Sequence, residues 1–324
     1  MALTALAPSP DAAASRPDLW QTSRSQEIWL GWILALAATV GFSVAPPISR
    51  GAIVAGADPT ILVMVRMVGA AILIGLTLLF TAPQRLKTDR HGLFYALLAG
   101  AVNGIGFLAF FWALERMEAS IASMLFSINP LFVLGLLAWR GERLTRRHIS
   151  RLALGLIGAY LLIGPTGRVD WLGVVWVLLT VLCFAVQLVF IQWYLQDYDA
   201  QTVTFYMVVG IALVTVVGWL VLRPAWRDLG SQGWVAVAVL IVVSTYLARL
   251  ALFGGVRRLG SGQMALLVPL ETLLTVIWAF LFLGERLTVA QWAGSVAIFG
   301  SLMMANRRWR RLGGRPRPRL WGRL

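Results

Sequence analysis

Gly141-Glu142-Arg143-Leu144-Thr145 returns as Gly284-Glu285-Arg286-Leu287-Thr288, 143 positions later. Working outward from the two copies, the likeness continues at an offset of 142: Gly31 falls on Gly173, Phe42 on Phe184, Thr60 on Thr202, Arg116 on Arg258 and Gly158 on Gly300. Ordered matches at one fixed period are the mark of a duplicated unit, and they are sought first because missing them misreads the whole fold.

What lies between the marks is apolar. Hydrophobic residues make up 59% of the 324, charged ones 13%, and mean hydropathy is +0.78, where a soluble chain is about 25% charged. Lipid offers no partner to a bare peptide group, so a bilayer core of about 30 Å is crossed by helices of about 20 apolar residues. Ten such runs are expected, at 28–49, 60–82, 92–113, 119–139, 149–164, 171–194, 201–222, 234–255, 262–283 and 290–306. Five runs fall in each copy. Since five is odd, the second copy enters the membrane from the opposite side, so the expected fold is an all-α integral membrane protein of two inverted five-helix repeats, at 28–164 and 171–306. Residues 1–27, rich in Ala, Ser, Pro and Asp, carry no apolar core of a signal peptide and read as a disordered tail.

Cytoplasmic connections carry the excess of Lys and Arg. With the N-terminus inside, the cytoplasmic segments hold 20 of the 28 cations, the opposite side six, and the spans two, Arg66 and Arg249. Both ends are therefore expected in the cytoplasm of a bacterial inner membrane. The connection 196–200, with Asp197 and Asp199 and no cation, is neutral on the point. The tail 307–324 holds eight Arg; anionic lipid attracts such a segment at about 1 kcal/mol per cation, which makes lipid a better expected partner than nucleic acid.

Inverted repeats are the construction of secondary transporters, whose substrate site lies near the midplane at the repeat interface. With Arg66 in "MVRMVGAA" and the Gly-Glu-Arg-Leu-Thr motif after the fourth and ninth spans, the chain resembles the drug/metabolite transporter superfamily, EamA type, over residues 28–306. Within it, overall similarity lies nearest bacterial amino-acid exporters, including the YddG-type exporters of aromatic amino acids. The resemblance implies export of amino acids or similar small metabolites, without a cofactor. Pro130 in "SINPLF" and Pro269 in "LVPLET" match prolines often found in the family's fourth and ninth spans, at different registers.

A charge at mid-bilayer costs at least about 2.5 kcal/mol on insertion scales and calls for a partner or a wet cavity. Arg66 reads as a carboxylate clamp or as a structural cation. Arg249, about fifteen residues into the eighth span, reads as close to the cytoplasmic end and snorkelling toward Arg257 and Arg258. Glu271, nine residues into the ninth span, reads as a midplane carboxylate that binds an ammonium, carries a proton, or pairs permanently with Arg249 or Arg66. Asn103 in the third span and Ser244, Thr245 and Tyr246 in the eighth face one another under the repeat. With Gln187, Ser43, Ser127 and Asn129 they are expected to line one cavity, and Phe42, Trp112, Phe107, Phe110 and Phe184 offer a stacking surface. Pro46, Pro47, Pro130, Pro269, Gly100 and Gly104 are the expected bending points. The two Gly-Glu-Arg-Leu-Thr copies are expected to end one helix at Gly and cap the next with Thr.

Other functions have little to stand on. Two histidines and one cysteine supply no zinc set, all eight aspartates lie outside the spans, and there is no P-loop for ATP. A passive uniporter or channel, and a multidrug or other-metabolite exporter of the same superfamily, remain open; two span cations against one Glu argue against a polyamine.

Overall fold

The structure, a computed structural model, describes residues 19–139, 146–163, 170–226, 230–259, 264 and 267–306. The first Gly-Glu-Arg-Leu-Thr copy, the first part of the ninth span, most of the N-terminal tail and the Arg-rich tail lie outside them.

The described secondary structure is helical. The first span is α1 (Leu19–Ser43) continued by α2 (Ala45–Val54), the second α3 (Pro59–Thr81) and the third α4 (Arg90–Arg116). The fourth is α5 (Ala119–Phe126) followed by α6 (Asn129–Trp139), and the fifth is α7 (Arg146–Ile163). The second copy has α8 (Trp171–Tyr194), α9 (Ala200–Leu222), an eighth span of α10 (Gly230–Ile241), a π-helical segment Val242–Leu247 and α11 (Ala248–Leu259), then α12 (Val268–Leu283) and α13 (Val289–Asn306). Among the described residues six stretches are long and apolar enough to span alone, while Ala119–Val133, Leu270–Leu283 and Val289–Gly300 are shorter apolar helices. Ten helical spans in two inverted sets of five make this an all-α, multi-pass membrane protein.

Local chemistry explains the helix starts. Asp58, Asp89, Asp170 and Asp199 each cap a span, their carboxylates accepting backbone N–H groups of the first turn at 2.8 to 3.1 Å. That is why four of the eight aspartates stand just before an apolar run. The second motif copy behaves as expected: Gly284 ends α12 with φ +67°, a conformation favouring glycine. Thr288 and Gln291 then exchange bonds of 3.3 and 2.8 Å at the start of α13, a capping box.

Small residues let the helices meet. A Cβ on Gly100 would lie 2.3 Å from the Met207 carbonyl oxygen, and one on Gly104 2.8 Å from Val214 Cβ. α4 runs unbroken through these two glycines, which press it against α9. Gly158 brings α7 equally close to α13, where its Cβ would meet the Gly294 oxygen at 2.7 Å. Apolar side chains such as Phe80, Val221 and Phe282 point outward, 81, 73 and 60% exposed, as a lipid-facing surface requires.

Candidate functional site

Three spans are interrupted near mid-length, and the interruptions converge. Val44 parts α1 from α2, with Pro46 and Pro47 opening the second piece. Ser127 and Ile128 part α5 from α6, whose second residue is Pro130. Pro269 is the second residue of α12. The missing N–H of proline is no loss in a first turn, where N–H groups are unpaired anyway. The expected kink inside the ninth span is thus a helix start, and the two prolines with different repeat offsets occupy the same position in their half-helices.

The breaks are joined across the repeats. The hydroxyls of Ser127 and Thr272 lie 2.9 Å apart. Thr275 donates to the Ser43 carbonyl at 3.1 Å, and the Trp278 indole N–H donates to the Ser43 hydroxyl at 3.1 Å. Asn129 donates its amide to the Val181 carbonyl at 2.9 Å. Ser43, Ser127 and Asn129 therefore serve as structural bonds.

Between the breaks lies a cavity of about 310 Å³, at the lower end for a small-molecule site. Both repeats build it. Phe42, Pro46 and Ser49 come from the first span, Arg66 from the second, Asn103, Phe107, Phe110 and Phe111 from the third, and Ser123 and Phe126 from the fourth. Thr180, Phe184 and Gln187 of α8, Arg249 of α11 and Glu271, Thr272 and Thr275 of α12 complete the wall.

Nine sequence candidates, Glu271, Arg66, Asn103, Gln187, Phe42, Phe107, Phe110, Phe184 and Arg249, thus stand on one lining, while Ser244, Thr245, Tyr246 and Trp112 do not. Ser244 and Thr245 sit behind Arg66, whose Nε donates to the Thr245 hydroxyl at 2.9 Å and Nη2 to the Ser244 hydroxyl at 3.2 Å. Both hydroxyls pass their own protons to the Leu240 carbonyl, at 3.2 and 2.8 Å. Tyr246 turns away to a 2.6 Å bond with Thr77. Trp112 donates to the Thr60 hydroxyl at 3.1 Å and packs on Trp176. The aromatic wall runs through the expected Phe107, Phe184 and Phe110, joined by Phe126, neighbouring ring centroids being 4.9 to 6.1 Å apart.

Arg249 departs from its expected place at the cytoplasmic end. The described eighth span starts at Gly230 and runs 30 residues, leaving Arg257 and Arg258 two turns further along. The π segment spaces its bonds five residues apart and re-aims the side chains after it. Arg258 takes the terminal position instead, 3.4 Å from Glu27.

Nor is Glu271 a mid-helix carboxylate. It lies in the first turn of α12, where unpaired N–H groups and the helix dipole favour an anion. Among the described residues the ion pairs within 4.0 Å are Arg116–Asp170 and Arg258–Glu27, so the permanent pairing with Arg66 or Arg249 is not made.

Among the described residues six buried side-chain polar atoms have no partner, and five of them line this cavity: Ser49 Oγ, Asn103 Oδ1, Ser123 Oγ, Gln187 Oε1 and Arg249 Nε. Each such atom is costly in a dry interior, and its cost is recovered when a polar ligand enters.

Sequence reasoning missed Glu285. Its carboxylate accepts the Ala119 and Ser120 N–H groups at 2.9 Å each, and the Ser120 hydroxyl, so the second repeat caps α5 of the first. The signal was its place in the repeated motif.

A family model described as the EamA-like transporter family matches residues 29–164 and again 171–307. An uncharacterized transporter of Archaeoglobus fulgidus is 26% identical over 199 residues, 61% of this chain and 70% of that protein. The uncharacterized transporter YcbK of Bacillus subtilis is 25% identical over 293 residues, 86% of this chain and 93% of its own length. A crystal structure at 18% identity superposes with a TM-score of 0.60 over 90% of this chain and 99% of the other, a likeness of fold.

Proposed function

This chain belongs to the EamA-like transporter family, and from that premise we propose that it is a secondary transporter exporting amino acids, aromatic ones among them, or similar small metabolites by alternating access. The observation that carries the reading is the cavity at the repeat interface, where five unpartnered polar atoms, two Arg and one Glu stand beside a wall of phenylalanines. A zwitterion with an apolar side chain complements each feature: carboxylate to cation, ammonium to carboxylate, side chain to ring.

The construction supports alternating access. Interrupted helices at a midplane site allow one repeat to rock against the other, and the breaks at Pro46–Pro47, Pro130 and Pro269 are where such a motion concentrates. Gly100 and Gly104 hold α4 and α9 together as a unit that moves whole. The cation distribution supports termini in the cytoplasm of a bacterial inner membrane.

Counterflow in proteoliposomes tests the reading. Vesicles loaded with unlabelled phenylalanine, threonine, lysine or a cationic drug are assayed for uptake of the labelled compound, with and without a pH gradient. Saturable exchange of amino acids, lost in Glu271→Gln, is the expected result. Unsaturable flux of every solute makes the protein a channel, and drug flux without amino-acid flux makes it a multidrug exporter.

A further inference from the structure

The cavity holds two cations of different standing. Arg66 is 6% exposed and already satisfied: two hydroxyl oxygens accept from it, and the Phe111 ring centre lies 6.0 Å from its guanidinium carbon. Because those hydroxyls spend their protons on the Leu240 carbonyl, their oxygens are locked toward the guanidinium. Arg66 is thereby built into the wall. Arg249 lines the same cavity with its Nε buried and unpartnered, and no carboxylate among the described residues lies within 4.0 Å of it.

We infer that Arg249 is the residue that reads a carboxylate on the transported molecule, while Arg66 is a positioning residue whose fixed charge makes an anion welcome there. This rests on the transport reading and deepens it to a substrate class: a compound with a free carboxylate and a bulky apolar or aromatic side group. Two like charges sharing a poorly hydrated cavity repel, and an anion at the unpaired one relieves both. A guanidinium binds a carboxylate with two parallel hydrogen bonds, which fixes orientation as well as charge.

Orientation then follows for the other groups. Asn103 and Gln187, 2 and 8% exposed, each keep an amide oxygen without a donor, and no cation among the described residues lies within 4.0 Å of the Glu271 carboxylate. These acceptors suit an ammonium on the same molecule. The rings of Phe107, Phe126 and Phe184 suit its side group. The carboxylate is the required group in this arrangement and the ammonium adds to it, because it is the cations that outnumber the anion.

The test measures ligand-induced thermal stabilisation of the purified full-length protein with four probes: L-phenylalanine, 3-phenylpropionate, which lacks the ammonium, and L-phenylalaninamide and phenethylamine, which lack the carboxylate. L-phenylalanine and 3-phenylpropionate are expected to bind at least about tenfold more tightly than the other two, the range of one charge-assisted contact. Arg249→Gln is expected to erase that preference and Arg249→Lys to restore part of it, which separates recognition from a folding defect. Glu271→Gln is expected to weaken L-phenylalanine and leave 3-phenylpropionate unchanged. Equal binding of phenethylamine and 3-phenylpropionate, a carboxylate preference surviving in Arg249→Gln, or no binding of any probe overturns the inference. The two readings fail separately: an absence of amino-acid counterflow alongside Arg249-dependent binding of 3-phenylpropionate overturns amino-acid export and leaves the carboxylate site standing.

Discussion

At Glu118, beside the start of α5, burial and the neighbouring Glu285 carboxylate push the acid above its ordinary range, against the pull of Arg50. A pKa raised in the folded state means that folding favours the protonated form. The stabilising contribution is complete below the ordinary Glu range, about 4.3, and is lost as pH rises through the raised value. Glu118→Gln is therefore expected to raise the melting temperature of the purified protein at neutral pH, with the gain closing as the pH falls below that range; a constant gain at every pH would remove the charge argument. Glu285 sits beside it with the opposite role. Replacing it with Ala leaves two N–H groups of α5 without their acceptor, and a loss of about 1 to 3 kcal/mol is expected, read as a lower melting temperature that Glu285→Gln partly restores.

The helices differ in how they use small residues. In α4 a side chain at Gly100 runs into the α9 backbone, and backbone cannot give way as a side-chain tip can. Gly100→Ala is expected to destabilise by about 1 to 3 kcal/mol, the range of an overpacked core. In α6 a Cβ at Gly135 meets nothing within 4 Å, so Gly135→Ala is expected to be neutral or to stabilise by up to about 1 kcal/mol through helix propensity. Equal effects of the two substitutions would dismiss close packing as the reason for the glycine at 100. The π segment is the other departure from regular helix, placing Ser244 and Thr245 against Arg66 and Arg249 on the cavity.

Across the whole molecule, spans one to four of the first copy and six, eight and nine of the second meet the cavity, while α7 and α13 pair beside it through Gly158. Two inverted sets of five place residues 87 and 223 at opposite ends of the bundle. With Cys183, itself buried at 7% exposure, replaced by Ser, Lys87→Cys is expected to react with a membrane-impermeant maleimide only in inverted vesicles and Arg223→Cys only in right-side-out cells. The reverse pattern would turn the proposed orientation over, and with it the outward direction assigned to transport.

Composition and period alone determined the number of spans, their helical nature and the inversion of the second half, because a bilayer admits few backbones and an odd count of spans leaves no choice of direction. Arg66, Arg249 and Glu271 also stood out in the sequence, since charge in an apolar run is conspicuous wherever it points. Only the tertiary structure decided which of the three is engaged. Thr245 and Ser244 reach Arg66 from 179 and 178 residues away, and no local pattern encodes that meeting. The start of α12 at Val268 turned Glu271 from a mid-helix residue into a first-turn one, and the π segment re-aimed Arg249. Apolar content sets where a helix lies in the membrane; its breaks and its rotation about its own axis are settled by the neighbours it packs against.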